Sequence, residues 1–513
     1  MTTRLIALLS RPLLAAVLLL GITTCAIAQN DFSVASPFTD NAVLQRDIAV
    51  PVWGTAVAGE TITVEFGSQT KSAVAADDGR WQVTLDAMPA NAKHQTLKVS
   101  TGTSKASFAN VVVGEVWICS GQSNMQWPAA RVPEVKALAS KVKNLRTFEV
   151  KKTVAMTEQN RLEGKWVEGP PASAVAFSFA YFLEEAGDVP VGIILTCWGS
   201  SSLEAWMPRD MTETVPHFKT MMSEFDANSE NLERINSILN GPKPWKQKDD
   251  IFLRQQSNIL FNAMMNPLIP YACRGLVWYQ GERNAGSIFA MPKGKWQARN
   301  SGMLKYGDTL KAWIERYRKA WNNDQMEFMI VMLPGYYKPL KTGPKKGAKH
   351  PATHSWAWMR ESQLKALDLP HTSVINTIDL GSEKNIHPKD KLPVGKRLAL
   401  MAARDTLGKD IEAFGPVVKR VEAKDNRLVV MFDHAEGLKT IDGKPPAEFW
   451  IADDAANWFK AEAEIKDQTV LLSSPKIRKP LYVRYAFVGK PSVNLVNSAN
   501  LPAYPFRTDT FEP

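Results

Sequence analysis

The sequence predicts an α/β domain with a parallel sheet, flanked on each side by a β-sandwich-like accessory domain. Between residues 109 and 413, apolar runs of strand length alternate with helical stretches, which is typical of strands buried on both faces of a parallel sheet. In residues 29–108 and 414–513, short alternating patterns lie between Gly, Pro and Asp turns and indicate short strands. A chain of 513 residues is too long for a single core, so several domains are expected.

Residues 1–28 have the features of a secretory signal peptide. Arg4 and Arg11 flank an apolar stretch at 13–22 that is too short to span a bilayer, and Ala26-Ile27-Ala28 matches an A-x-A cleavage pattern. No later apolar run is long enough for a membrane helix. We therefore expect a periplasmic or secreted protein with no membrane span after the leader is removed.

Individual elements follow from the same patterns, in chain order. In the N-terminal domain, period-2 alternation is clear at Ile62, Val64 and Phe66, and at Trp81, Val83 and Leu85. The central domain is predicted to contain buried strands at 111–119, 191–197, 275–279, 328–333 and 373–378. A helix is expected over 172–186 with Gly187 as its C-cap, and a polar helical insertion over about 209–257. In the C-terminal domain, strands are predicted at 428–432, 469–472 and 481–487.

Charge and cysteine content exclude several classes of protein. The net charge of +10 is modest for this length, and no basic motif is interleaved with aromatic residues, so no nucleic-acid partner is expected. There is no CxxC motif and no His cluster at metal spacing, so we expect no metal and no other cofactor. The three cysteines beyond the leader, Cys119, Cys197 and Cys273, lie in or beside apolar runs. An odd count allows at most one disulfide, and buried free thiols are the expected state.

Polar residues follow the predicted central strands, where open parallel sheets bind their ligands. These residues are Gln122 and Ser123 after the first strand, Gly199 and Trp206 after the second, Gln280, Arg283 and Asn284 after the third, and Asp379 and His387 after the last. Their types suit acyl transfer, because a serine nucleophile needs a base, and His is the best base near neutral pH. The chain has seven His, of which His387 lies in a compact polar context at a strand end.

The remaining roles follow from what acyl transfer requires. The developing oxyanion needs preorganised donors, which we assign to the Ser123 and Gly199 amides and the Asn284 side chain. Gln280 could orient Asn284 or contact the substrate. An enzyme is not the only interpretation, since a non-catalytic glycan-binding protein built on a decayed hydrolase would have a similar layout. However, such a protein would be expected to have lost Ser123, His387 or Asn284.

Three segments resemble the sialate O-acetylesterase family within the SGNH-like hydrolases: "GEVWICSGQSNMQ" at 114–126, "WYQGERN" at 278–284 and "IHPKDKLPVGKR" at 386–397. The resemblance implies a flavodoxin-like catalytic domain with β accessory domains, and removal of acetyl groups from sugars without a metal. The sugar would be a sialic acid, or a plant polysaccharide such as xylan, xyloglucan or pectin. It also implies Ser123 as nucleophile, His387 as base, and Gly199 and Asn284 at oxyanion positions. We further predict Gln122, Gln280, Arg283 and Trp206 as substrate contacts.

The sequence departs from the family pattern next to these residues. SGNH enzymes usually carry Asp three residues before the His, and relatives often carry it two before. Here those positions are Lys384 and Asn385. For the orienting acid, Asp379 is the first choice, and Asp390 and Glu383 are alternatives. Asp390 could instead cap a helix beginning near residue 392, and a Ser–His dyad supported by backbone is also open. In addition, Arg283 replaces the usual Ser, and Ser200-Ser201-Ser202 replaces Gly-Thr-Pro.

Overall fold

The computed structural model describes residues 32–289, 300–337, 347 and 349–513. The predicted signal peptide at 1–28 lies outside the described residues. The N-terminal β region contains β1 (Ser33–Val34), β2 (Val43–Gln45), β3 (Val50–Thr55), β4 (Thr61–Phe66), β5 (Gln69–Val74), β6 (Arg80–Leu85) and β7 (Asn91–Ser100). In β4 and β6, side chains alternate between exposed or half-buried and buried positions, because one face of each strand lies on the core.

A long strand, β8 (Lys105–Gly121), connects the N-terminal region to the central sheet. Its first part pairs antiparallel with β7, and its second part is fully buried and forms the middle of the parallel sheet. The domain boundary expected at residue 108 therefore falls inside a continuous strand. The first part of β8 is half-buried on one face, and the second part is buried on both faces. The sequence pattern therefore changes from alternating to continuously apolar, although the strand is not interrupted.

The central region alternates strands and helices, as in an α/β protein. Its elements are α1 (Ser123–Gln126), α2 (Pro133–Lys136), β9 (Leu145–Glu149), β10 (Trp166–Glu168), α3 (Ala174–Gly187), β11 (Val191–Cys197), α4 (Pro216–Asp226), α5 (Ser229–Leu239), α6 (Gln247–Leu253), β12 (Gly275–Tyr279), α7 (Gly302–Trp321), β13 (Glu327–Val331), β14 (Gly335–Tyr336), α8 (Ala357–Leu364), β15 (Thr372–Ile375), β16 (Gly381–Ser382) and α9 (Lys391–Leu407). The main sheet has the order β10-β9-β11-β8-β12-β13-β15, and its neighbours are parallel except for β10 against β9. Helices α4 to α6 occupy the segment expected to be a helical insertion.

Each of the five predicted central strands is a strand in the structure, but β9 and β10 were not predicted. Strand β9 reads LRTFE, and its Arg146 and Thr147 are buried although polar. Arg146 donates to the backbone carbonyls of Asn41 and Asn110, so a charged side chain inside the fold is satisfied by distant backbone. The predicted C-cap at Gly187 is also wrong, because Gly187 is the last residue of α3 and the C-cap is Asp188, whose φ of 49° is left-handed.

The C-terminal region is built from β17 (Val417–Lys424), β18 (Arg427–Asp433), β19 (Lys439–Thr440), β20 (Phe449–Ala452), β21 (Trp458–Lys460), β22 (Glu462–Lys466), β23 (Thr469–Ser473), β24 (Tyr482–Tyr485), β25 (Leu495–Val496) and β26 (Phe506–Arg507). They form two four-stranded antiparallel sheets, β17-β18-β23-β22 and β21-β20-β24-β26, and a short β19–β25 pair. The fold is thus an α/β domain with β-rich regions before and after it.

The expectation of buried free thiols is confirmed. Cys119, Cys197 and Cys273 are free thiols, and burial raises the pKa of each. Within the described ranges, no helix is long and apolar enough to cross a membrane. In the same residues, no group of three or more His, Cys, Asp or Glu side chains is arranged to hold a metal ion.

Candidate active site

Ser123 lies on a sharp strand-to-helix turn at the carboxyl edge of the parallel sheet. Strand β8 ends at Gly121, whose φ is 134°, and a Cβ there would lie 2.2 Å from the Tyr279 carbonyl oxygen. Glycine is therefore required, because the turn passes against the end of β12. Helix α1 begins at Ser123, and its backbone N–H has no acceptor among the described residues, as expected in a first helical turn.

His387 reaches Ser123 from the loop between β16 and α9. Its Nε2 lies 2.8 Å from the Ser123 Oγ, and its ring stacks on Trp127 with centroids 5.5 Å apart. The backbone N–H of His387 donates to the Asn385 Oδ1 at 2.9 Å. Burial, together with the positive charge of Lys391, lowers the pKa of His387. The ring is thereby kept neutral and able to accept the serine proton near neutral pH.

None of the three carboxylates considered for the orienting role contacts the His387 ring. Asp379 instead forms a bidentate ion pair with Arg397, at 2.7 and 2.6 Å, so it is not positioned as the orienting acid. Asp390 accepts from the Gly381 N–H at 3.1 Å and makes no side-chain cap of α9. Glu383 is exposed. In the part of the chain that the structure describes, Ser123 is the hydrogen-bond partner of the His387 ring.

The predicted oxyanion donors are in different situations. A Cβ on Gly199 would lie 3.2 Å from the Ser123 Cβ, so Gly199 adjoins the serine, but its N–H donates to the Gln126 Oε1 at 2.8 Å. Asn284 is fully buried, and its amide donates to Glu204 and to the Ser301 Oγ, both at 3.1 Å. Both amide hydrogens are therefore used, so this arrangement does not offer Asn284 to an oxyanion.

The residues predicted to contact the substrate are mostly engaged in hydrogen bonds or packing inside the protein. Gln122 accepts from Gln280 at 3.1 Å and from the Arg283 N–H at 3.2 Å, which ties the serine turn to the loop after β12. Arg283 is half-buried and donates to the Gln255 Oε1 at 3.2 Å. The prediction that Trp206 contacts substrate is wrong, because Trp206 has no exposed surface and packs edge-on against Trp278.

Sequence reasoning did not single out three buried residues next to the Ser–His pair, namely Asn124, Glu282 and Lys391. Asn124 is fully buried beside the nucleophile and donates to the Ile386 carbonyl at 3.0 Å and to the Glu282 carboxylate. Its Oδ1 accepts from the Lys391 ammonium at 2.5 Å. All three residues lie inside the quoted motifs, but only their burial distinguishes them from the solvated polar residues nearby.

A small cleft adjoins the turn on the side of β9 and β11. It has a volume of about 150 Å³, and its lining includes Gln126, Glu149, Lys152 and Cys197. The side chain of Gln126 links this cleft to the site through its hydrogen bond to Gly199.

Similar proteins support an ester hydrolase. No known family profile matches the sequence. A rat protein named sialate O-acetylesterase is 26% identical over 93% of this chain and 94% of its own length, and a human protein of that name is 24% identical over 76% and 74%. A solved carbohydrate acetylesterase from Xanthomonas citri is 31% identical, covers 93% of this chain and 100% of its own, and superposes with a TM-score of 0.77.

With the hydrogen-bonded Ser123 and His387, these relatives define the class of protein, a carboxylic ester hydrolase. Near-complete coverage extends the likeness beyond the active-site motifs to the β-rich regions. The chain belongs to the sialate O-acetylesterase family of carbohydrate acetylesterases.

Proposed function

We propose that this protein is an exported serine esterase that removes O-acetyl groups from carbohydrate. The observation that carries the proposal is the 2.8 Å contact between the Ser123 Oγ and the His387 Nε2 at the carboxyl edge of the sheet. The names of its relatives, sialate O-acetylesterase and carbohydrate acetylesterase, support an acetylated sugar as substrate. Export to the periplasm or medium rests on the leader pattern at 1–28.

The reaction proceeds in two halves on Ser123. The Ser123 Oγ attacks the acetyl carbonyl carbon while the His387 Nε2 accepts its proton. The bond from that carbon to the sugar oxygen breaks, and His387 donates the proton to the departing sugar hydroxyl, which leaves an acetyl group on Ser123. Water, deprotonated by His387, then attacks the acetyl carbonyl carbon. Acetate leaves, and His387 returns the proton to the Ser123 Oγ.

Charge on the tetrahedral intermediate is met by backbone donors. The Ser123 N–H is available in the first turn of α1. The Gly199 N–H becomes available when its hydrogen bond to Gln126 is replaced by one to the substrate oxyanion. This exchange would release the Gln126 side chain, which also lines the adjoining cleft.

Features beside the Ser–His pair bear on which acetylated sugar is the substrate. The family relationship favours O-acetylated sialic acid, and xylan, xyloglucan or pectin are the alternative substrates. The backbone N–H of half-buried Arg283 donates to Gln122, and its guanidinium, which donates to the Gln255 Oε1, is of a type suited to a sugar carboxylate. The adjoining cleft carries both charges, from Lys152 and Glu149, and so favours neither an acidic nor a neutral sugar. An acidic sugar is the substrate that the Arg283 guanidinium would favour.

Acetate release from a panel of acetylated substrates tests the function. Wild-type protein is expected to release acetate from an aryl acetate and from at least one of acetylated sialic acid, xylan, xyloglucan or pectin. Ser123→Ala should lower kcat by about 10³-fold or more, because the nucleophile is lost. Ser120→Ala is the matched control, since Ser120 is buried on β8 and its hydroxyl has no partner among the described residues.

The outcome separates catalysis from binding. Retained activity in Ser123→Ala would contradict the serine mechanism. Binding of the acetylated sugar without any acetate release would support the glycan-binding alternative. Equal loss of activity in Ser120→Ala and Ser123→Ala, together with unfolding, would place Ser123 in a structural role.

A further inference from the structure

A buried polar cluster adjoins the Ser–His pair. Its central member is Asn124, which is fully buried, and its charged members are Glu282, 7% exposed, and Lys391, 0% exposed. Asn124 donates to the Glu282 carboxylate and accepts from the Lys391 ammonium at 2.5 Å. A single amide thus joins two charges of opposite sign inside the protein.

The same amide joins the nucleophile to the base. Asn124 follows Ser123 on α1, and its second amide hydrogen goes to the Ile386 carbonyl, at 3.0 Å, in the residue before His387. Lys391 is the first residue of α9, the helix that follows the His387 loop. Asn124 therefore holds both ends of the segment that carries the base.

His387 needs such support, because no carboxylate among the described residues holds its second nitrogen. In serine hydrolases with a triad, an acid fixes the orientation of the imidazole. Here Asp379 is paired with Arg397, and Asp390 with the Gly381 amide. The position of the His387 ring is left to Trp127 stacking and to the backbone that Asn124 holds.

The cluster is costly for a purely structural feature. Each buried ion carries a desolvation penalty that well-packed apolar side chains would avoid. Glu282 also keeps one carboxylate oxygen, Oε2, without a hydrogen-bond partner among the described residues. Buried polar groups that are only partly satisfied concentrate at functional sites.

We propose that Asn124, Glu282 and Lys391 are positioning residues that hold His387 against Ser123 in place of an orienting carboxylate. This inference rests on the proposed esterase activity. Lys391 is faced by Glu282, Asp390, the Asn124 amide and the Tyr279 ring, whose centroid is 5.4 Å from the ammonium. The positive charge of Lys391 opposes protonation of His387. The cluster therefore influences both the position and the protonation state of the base.

The experiment compares Lys391→Met, Glu282→Gln and the double variant on an aryl acetate. We expect kcat to fall by about 10- to 100-fold with KM little changed, because a small displacement of the base slows chemistry without removing binding contacts. Loss of Lys391 should also move the acid limb of the kcat profile to higher pH. The double variant leaves no unpaired charge and should fold even if the single variants do not, with the low kcat retained.

Glu115→Gln is the matched control, since Glu115 is a fully buried carboxylate at the opposite edge of the sheet. It should lower the melting temperature and leave kcat and the acid limb of the folded protein unchanged. The inference is overturned if a folded double variant keeps the wild-type kcat and acid limb. Wild-type protein without activity on any acetate ester would instead overturn the proposed function, so the two failures are distinct.

Discussion

Buried carboxylates lie at both edges of the parallel sheet, and they differ in how well they are satisfied. At the amino edge, the Glu115 carboxylate accepts from the Arg46 Nε at 2.6 Å and from the Arg274 guanidinium at 3.1 Å. At the carboxyl edge, Glu282 accepts from the Asn124 amide, and one of its oxygens has no partner among the described residues. Two guanidinium groups donate hydrogen bonds to the first, while the second shares the Asn124 amide with the Lys391 ammonium.

The difference is the one expected between a group that stabilises the fold and one that takes part in the proposed site. Fully paired buried ions fix how segments pack, and here Arg46 and Arg274 fasten the N-terminal region and the approach to β12 to Glu115. At the other edge, burial raises the pKa of Glu282 and lowers the pKa of Lys391 to about 8. Such perturbed groups beside a nucleophile are typical of active sites.

The largest effect is expected at the base itself. His387→Ala should lower kcat by about 10³-fold or more, because no other described group lies at hydrogen-bond distance to accept the Ser123 proton. Steady-state kinetics on an aryl acetate give the measurement. His434→Asn, in the C-terminal β region, is the control and should keep wild-type activity, so a similar loss there would show that the assay reports folding.

Glu115 tests the amino edge of the comparison. Glu115→Ala leaves two guanidinium groups buried without their carboxylate, so the free energy of unfolding should fall by about 3–5 kcal/mol. Denaturant unfolding measures this loss, and kcat of the folded fraction should be unchanged. A large fall in kcat at unchanged stability would mean that the two edges do not differ in role.

The pH profile tests the electrostatics at the carboxyl edge. Since the pKa of His387 is lowered below the ordinary value of 6.5, the base stays neutral as pH falls through 6.5. Activity should then decline only at lower pH, as the ring becomes protonated. A kcat/KM profile measured from about pH 4 to 8 checks the sign. An acid limb above pH 6.5 would contradict the burial argument and indicate a nearby negative charge.

The smallest effect on catalysis is expected at Asp379. Asp379→Asn weakens a partly exposed ion pair with Arg397, so a loss of stability of about 0.5–1 kcal/mol is expected, with kcat within about threefold of wild type. Kinetics and thermal unfolding of the same variant measure both quantities. A fall in kcat of several orders of magnitude at neutral pH would restore Asp379 as the orienting acid.

Much of the central sheet could be predicted because several of its strands are predominantly apolar. The runs at 191–197 and 275–279 are the bounds of β11 and β12, since every residue of these strands is buried. Strand β9 was missed because buried Arg146 and Thr147 interrupt its pattern. Their partners lie far away in the sequence, so local periodicity could not have found that strand.

The candidate site divides in the same way. Motif and position after a strand were enough to select Ser123 and His387, which the structure brings within 2.8 Å. They were not enough for Trp206 or Asn284, whose side chains the fold commits to buried partners. Nor did they mark Lys391, which looks like one more solvated lysine until its burial is known.

The sequence by itself determined the class of fold and the choice of Ser123 and His387 as the candidate pair, because apolar periodicity and polar residues at strand ends are local properties of the chain. The tertiary structure alone decided which partner each carboxylate and amide takes. Asp379 pairs with Arg397, while Asn124 connects Glu282, Lys391 and the His387 loop across more than 150 residues of sequence. The physical reason is that a hydrogen bond depends on distance and angle in space, and residue type and spacing along the chain do not specify either one.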